Sequence, residues 1–244
     1  MSSFLKASNT GPGAASSNAC ILTLEATITE AMVQAECEAS LKPESQPAFL
    51  PHMKRLFCCL ALLLFALAVP AQDYAANIAS LIDPAKLATL KSRGANPRIQ
   101  KCVYWLAEAK AAGEKTDKVA GEAVIQAGYT KEAAALTKAA LLRNLDIAAK
   151  LGCLDAEGLA KMRHGGSPTV RKGPYAGDIA SVDHIIPRAV VPELDNVIAN
   201  LELLPLKLNE SKNSKVGDRQ RDMAKRFHAA GLLSAAGLKA VEAH

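Results

Sequence analysis

An aspartate and a histidine stand side by side in Val182-Asp183-His184-Ile185-Ile186-Pro187. A neutral imidazole, available near pH 7, can take a proton from water. The carboxylate beside it is a hard oxygen donor of the kind that holds a small divalent cation. Asn200-Leu201 follows 16 residues after His184, and Asn209-Glu210-Ser211-Lys212 begins 9 residues after Asn200. An amide oxygen at Asn209 would add a second hard donor. Two such donors completed by water suit Mg2+ or Mn2+ better than Zn2+. Positive charge flanks this series: Arg171 and Lys172 before it, Lys212, Lys215, Arg219 and Arg221 at its end. Any of these can contact a phosphate. Singly, such residues are more often solvated surface charge, and Lys212 is the one expected at the site.

These residues need particular elements to meet. Ala180-Ser-Val-Asp-His-Ile-Ile reads as a strand that Pro187 ends. Neighbours on a strand point to opposite faces, so a twist or bulge at Asp183-His184 must aim both at one place. Residues 188–198 read as a loop or returning strand, and Leu206 to Lys215 as a turn leading into a helix. A last amphipathic helix begins near Asp218, with Met223, Phe227 and Leu232 inward. Strand, loop, strand and helix make a small ββα unit.

In this order and spacing the residues resemble the HNH, or ββα-metal, nuclease family. There a D-H-I-x-P strand is followed by an N-L step and an N-x-x-K helix start. The resemblance covers roughly Pro168 to His228. The third family position is asparagine here, as in the H-N-N variant found in the HNH domain of RNA-guided CRISPR nucleases. The resemblance implies that His184 is the general base and that Asp183 and Asn209 hold one metal ion. It implies that Asn200 braces the hairpin loop and orients His184; Asn196 competes for that role, at a poorer spacing. It also implies cleavage of nucleic-acid phosphodiester bonds to 5′-phosphate and 3′-hydroxyl ends. Zinc-knuckle cysteines are missing, and no second histidine precedes Asp183 on its strand. His164, His228 and His244 have no matching partners and read as surface residues.

Upstream, from Tyr74 to about His164, the pattern is helical. Asp83-Pro84 and Asn96-Pro97 each place a cap before a proline in a first turn. Ile99, Val103, Leu106 and Ala107 share one face at helical spacing. Thr116 and Thr130 read as further caps, Gly152 as a stop, Asp155 as the next start and Gly165-Gly166 as a break. Tyr104 and Trp105 read as core anchors, and Lys110, Lys115 and Lys118 as a solvated face. Gly152-Cys-Leu-Asp-Ala-Glu-Gly-Leu and Gly231-Leu-Leu-Ser-Ala-Ala-Gly-Leu are alike, each reading as helix stop, cap and new helix. The fold class expected is α+β: a helical region over 72–164, then 165–244 with the ββα unit and C-terminal helices.

Residues 53–71, MKRLFCCLALLLFALAVPA, have the three-part layout of a secretory signal peptide. Their apolar run is short for a membrane span. Residues 1–52 show no sustained periodicity and read as a non-native leader, with Met53 as the true start. Cleavage after Ala71 would leave 173 residues with 25 Lys and Arg against 19 Asp and Glu, a net +6. It would also leave no stable membrane span, and a periplasmic or secreted location. Cys102 and Cys153 would then be either one disulfide, worth ~4 kcal/mol in the chain-entropy account, or two buried thiols.

Half of the chain is hydrophobic but only 4% is aromatic, which favours helices packed through Ala and Leu over a large β-sandwich. The net charge of +5 fits a nucleic-acid partner without requiring one. The expected activity is that of an exported endonuclease acting on DNA, with RNA as a further substrate class. A secreted toxin with an immunity partner is one version of this. A different class is a non-catalytic nucleic-acid-binding or envelope interaction protein.

Overall fold

The computed structural model describes residues 72–212 and 214–244. The expected leader and signal peptide, 1–71, lie outside them. Nine α-helices and a two-stranded sheet are found among the described residues, an α+β arrangement.

The helices of the first part are α1 (Tyr74–Ile82), α2 (Pro84–Ala88), α3 (Asn96–Ala111), α4 (Thr116–Gln126), α5 (Lys131–Lys150) and α6 (Ala156–Arg163). Asp83 caps α2, its carboxylate accepting from the backbone N–H of Ala85 and Lys86 at 2.9 and 3.3 Å. Asp155 caps α6 through Gly158 N–H at 2.7 Å. Two expected caps differ. Thr116 is the first residue of α4, behind Lys115 as cap, and Asn96 is the first residue of α3, behind Ala95. Asn96 is displaced because the turn before it already closes α3: Arg98 and Ile99 both donate to Ala95 O at 3.0 Å. Thr130 does stand at the cap of α5, without a side-chain bond.

α3 is the central helix. Ile99, Val103 and Leu106 are fully buried, with Cys102 and Ala109 beside them. α1, α4, α5 and α6 all pack on α3 or on one another. Tyr104 is buried and meets Trp105 edge-on, ring centroids 4.9 Å apart. Cys102 and Cys153 are buried free thiols, which removes the disulfide alternative. Burial pushes the Cys153 thiol up to about 11, and raises that of Cys102 as well.

The composition change at Gly165 marks a change of element within a shared core. Ala180, Leu201 and Leu203 of the sheet belong to the same apolar cluster as α3. β1 (Ala180–His184) pairs antiparallel with β2 (Leu201–Pro205), in the register Ser181 opposite Leu204 and Asp183 opposite Glu202. The returning strand therefore lies after 188–198. Of the two readings of 188–198 the loop holds, with a 3-10 turn at Pro192–Leu194 and a second, Ile198–Asn200, leading into β2. α7 (Leu206–Lys212) follows β2 directly.

A second cluster joins the loop's Ile186, Val191 and Leu194 to Phe227 of α8 (Asp218–Ala229) and Val241 of α9 (Ala235–Glu242). The stop expected at Gly231 separates α8 from α9, but Leu232, expected inward, is only half-buried and Leu233 takes the inward place. The two similar octapeptides fold alike. Gly152 and Gly231 sit at φ +70° and +71°, a left-handed helix stop, and Asp155 and Ser234 cap α6 and α9.

Candidate catalytic and metal-binding site

β1, the loop after it and α7 enclose a cavity of about 240 Å³. Asp183, His184, Pro187, Arg188, Asn209 and Lys212 are on its walls, and Arg93 joins from the turn before α3. Four expected site residues thus share one cavity although Asp183 and His184 are neighbours on a strand. They manage this because β1 ends at His184, where the chain turns into Ile185 and Ile186.

His184 is nearly buried, and its Nε2 lies 2.9 Å from the carbonyl oxygen of Asp195. A carbonyl only accepts, so Nε2 carries the proton and, in the neutral ring, Nδ1 holds the lone pair. The Asp195 carboxylate adds an Oδ1 at 3.1 Å from Nε2, while its Oδ2 accepts from Arg93 N–H at 3.1 Å. Asp195 has no cue in the sequence, because His184 and Arg93, which it holds, lie 11 and 102 positions away.

Asn200 is fully buried behind the site. Its Oδ1 accepts from Ile186 N–H at 2.8 Å, and its Nδ2 donates to Ile186 O at 3.0 Å and Leu194 O at 3.4 Å. One amide thus ties both ends of the 186–194 loop. Asn196 acts elsewhere. Its Oδ1 accepts from Ala95 N–H and its Nδ2 donates to Leu90 O and Lys91 O. With Arg188 donating to Ser92 Oγ at 2.6 Å, these bonds pin the 188–196 loop to the turn before α3.

Asn209 donates through Nδ2 to Ser181 Oγ at 3.1 Å, which leaves its Oδ1 as the acceptor. Lys212 lies 2.5 Å from Asp183 Oδ2 and donates to His184 O at 3.0 Å. An ammonium held between a carboxylate and a carbonyl marks a place where oxygens converge on positive charge. Among the described residues no three His, Cys, Asp or Glu side chains form a metal-holding group. The donor set, one carboxylate and one amide oxygen, is all hard oxygen and fits a cation that keeps most of its water. For Asp183 to hold it, the Lys212 ammonium must yield its place.

The other cations expected at phosphates stand apart from this cavity. Arg219 forks onto the buried Glu202, 3.1 and 2.5 Å from its two oxygens, which raises the Arg219 pKa. Arg143 lies 3.9 Å from the same carboxylate, but burial pulls its pKa down. Arg171 pairs with Asp155 at 2.9 Å and also with Glu157. Lys215 is exposed in the connection to α8. Besides Lys212, the cations lining the cavity are Arg93 and Arg188. Arg93 has a left-handed backbone at φ 58°, a strained conformation for a side-chain-bearing residue.

No protein-family profile matches this chain, and no curated protein or solved structure matches it either. No helix among the described residues is long and apolar enough to cross a membrane.

Proposed function

We propose that the β1–β2–α7 unit is a nuclease site of the H-N-N type that hydrolyses nucleic-acid phosphodiester bonds, in an exported protein acting on DNA. The observation that carries this reading is the 2.9 Å contact of His184 Nε2 with Asp195 O, which sets the tautomer of the ring. With its proton fixed on Nε2 by Asp195 O, the neutral ring keeps its lone pair on Nδ1, and His184 lines a cavity together with Asp183, Asn209 and two arginines.

His184 Nδ1 takes the proton of the attacking water. Asp195 keeps the ring oriented and stabilises the imidazolium that results. Asn200 fixes the loop that carries Asp195. Arg93 and Arg188 meet the phosphate at the rim. Asp183 and Asn209 are the residues that would hold Mg2+ or Mn2+, and the ion would offset charge on the phosphate and the leaving oxygen. Lys212, which lines the same cavity, would add its charge to the phosphate once displaced from Asp183.

A plasmid-nicking assay with Mg2+, Mn2+ or EDTA, beside His184→Ala, tests this. Cleavage that requires both the metal and His184 supports it. A folded, metal-loaded protein that leaves plasmid, single-stranded DNA and RNA intact refutes it, and a non-catalytic nucleic-acid-binding role would then stand in its place.

A further inference from the structure

Asp183 on β1 and Glu202 on β2 are partners in the register of the sheet. Side chains directly opposite each other in an antiparallel pair stand on one face. Both carboxylates are largely covered, with 13% and 7% of their side chains exposed. Like charges so placed are destabilising unless each has a cation of its own. Glu202 has Arg219 and, at 3.9 Å, Arg143. For Asp183, Lys212 is the one cation within ion-pair distance among the described residues, its ammonium 2.5 Å from Oδ2. A positive charge is therefore needed at Asp183 whether or not the site is at work.

Lys212 is placed so that it can leave. It is the last residue of α7, and its flexible four-carbon stem can swing without unwinding the helix. Its side chain is 22% exposed, which gives the ammonium a way to solvent. Asn209 lies one turn earlier on α7, and both residues line the cavity together with Asp183. A departure of Lys212 thus leaves the carboxylate and the amide of the expected donor pair where they are. A divalent ion brings twice the charge on one small centre, and hard oxygen donors favour it over an ammonium.

We propose that Lys212 is a built-in stand-in for the divalent cation, so that its ammonium and the metal ion exchange at Asp183. The ammonium offsets Asp183 against Glu202 until the ion displaces it. The proposal rests on the nuclease reading for the presence of a metal at Asp183 and for the phosphate that the freed ammonium then meets. Two consequences follow from the exchange. Lys212 sets the metal affinity lower than the oxygen donors alone would give, because each binding event must first break an ion pair. It also keeps the fold from depending on metal, because the opposed carboxylates are never left without a cation between them.

The test is metal binding with no nucleic acid present. The full chain is titrated with Mn2+, and the free ion is followed by its paramagnetic resonance signal. Lys212→Met keeps the length of the side chain and drops its charge. It should bind Mn2+ about tenfold more tightly, somewhat more than a fully exposed ion pair is worth. Lys212→Arg keeps the charge and should bind no more tightly than the wild type, and Asp183→Asn should remove the site. In EDTA, Lys212→Met should melt earlier than the wild type, and Mn2+ should raise its Tm by more. Should Lys212→Met fail to fold, the wild type carries the test: amine acetylation mapped by mass spectrometry should reach Lys212 slowly in EDTA and severalfold faster in saturating Mg2+. Equal Mn2+ affinity with and without the lysine, binding that survives Asp183→Asn, no binding at all, or Lys212 acetylation indifferent to metal overturns the exchange. Exchange in a protein that cuts no nucleic acid would sink the nuclease reading alone; metal-dependent cutting with equal affinities would sink the exchange alone.

Discussion

Replacing Asn200 by alanine should cost about 4 kcal/mol of folding stability. The side chain is fully buried and makes three hydrogen bonds, to Ile186 N–H, Ile186 O and Leu194 O. Ile186 and Leu194 are themselves fully buried, so water cannot replace the amide. Each stranded group costs about 1–3 kcal/mol, and the Leu194 bond, long at 3.4 Å, counts least. The total compares with a whole-domain stability of about 5–15 kcal/mol. Urea unfolding followed by circular dichroism would measure it, as a lower midpoint at an unchanged slope. Asn200→Asp separates bonding from volume. It keeps the size and the acceptor for Ile186 N–H but turns an oxygen toward Ile186 O. It should therefore be at least as damaging as alanine near neutral pH. A loss under about 1 kcal/mol for alanine, or a benign aspartate, would refute the bracing argument.

Asp195→Ala keeps the backbone carbonyl for His184 Nε2 but removes the carboxylate that holds Arg93 N–H. In the nicking assay kcat should fall by about tenfold or more with KM little changed, since the base is misaligned rather than lost; a rise in KM alone would contradict this. Asp178 accepts from Lys207 N–H, and also from Ile179 N–H, and these bonds hold its carboxyl below the usual value of 3.8. Its contribution is complete above that value and is lost as pH falls through the lowered one, so Asp178→Asn should flatten the acid limb of a melting-temperature profile. Neither Cys102 nor Cys153 should react with iodoacetamide until the protein is denatured, and peptide mapping should find them unbridged. A peptide joining the two would overturn the buried-thiol assignment.

Much of the local structure is legible in the sequence because its causes are local. Asp83 and Asp155 cap the helices that start just after them, Gly152 and Gly231 stop helices, and the β-branched run around Asp183 is a strand. Asn200 and Asn209 stand out in the sequence through the family resemblance, and both lie near β1 in the chain, Asn200 in the 3-10 turn before β2 and Asn209 on α7. What the sequence hides is supplied from far away. Asp195 and Arg93 carry no motif, and they matter through a contact with each other across 102 residues of chain. Arg219 reads as a surface cation, yet Glu202, with equally little signal, claims it. Asn96 reads as a cap, but the Arg93–Ala95 turn does that work with backbone alone. For 188–198 the sequence leaves loop and returning strand both open, because the segment is apolar enough for either; the loop holds, and its Val190, Val191 and Leu194 are buried against α8 and α9 rather than paired in a sheet.

Among the described residues no third strand covers the outer edge of β2, and α5 supplies a substitute. Asn144 sends its amide nitrogen to Leu201 O at 3.0 Å and accepts from Leu203 N–H at 2.7 Å, as a neighbouring peptide group would. Arg143 takes Ala199 O and Leu201 O at 3.3 and 3.2 Å. An open strand edge is a template on which other chains can grow. Here a single side chain imitates the missing backbone, so the smallest of sheets is closed to recruitment on that side. Asn144→Leu would keep the bulk and reopen the template, and the change would surface as self-association before it registered in any enzymatic rate.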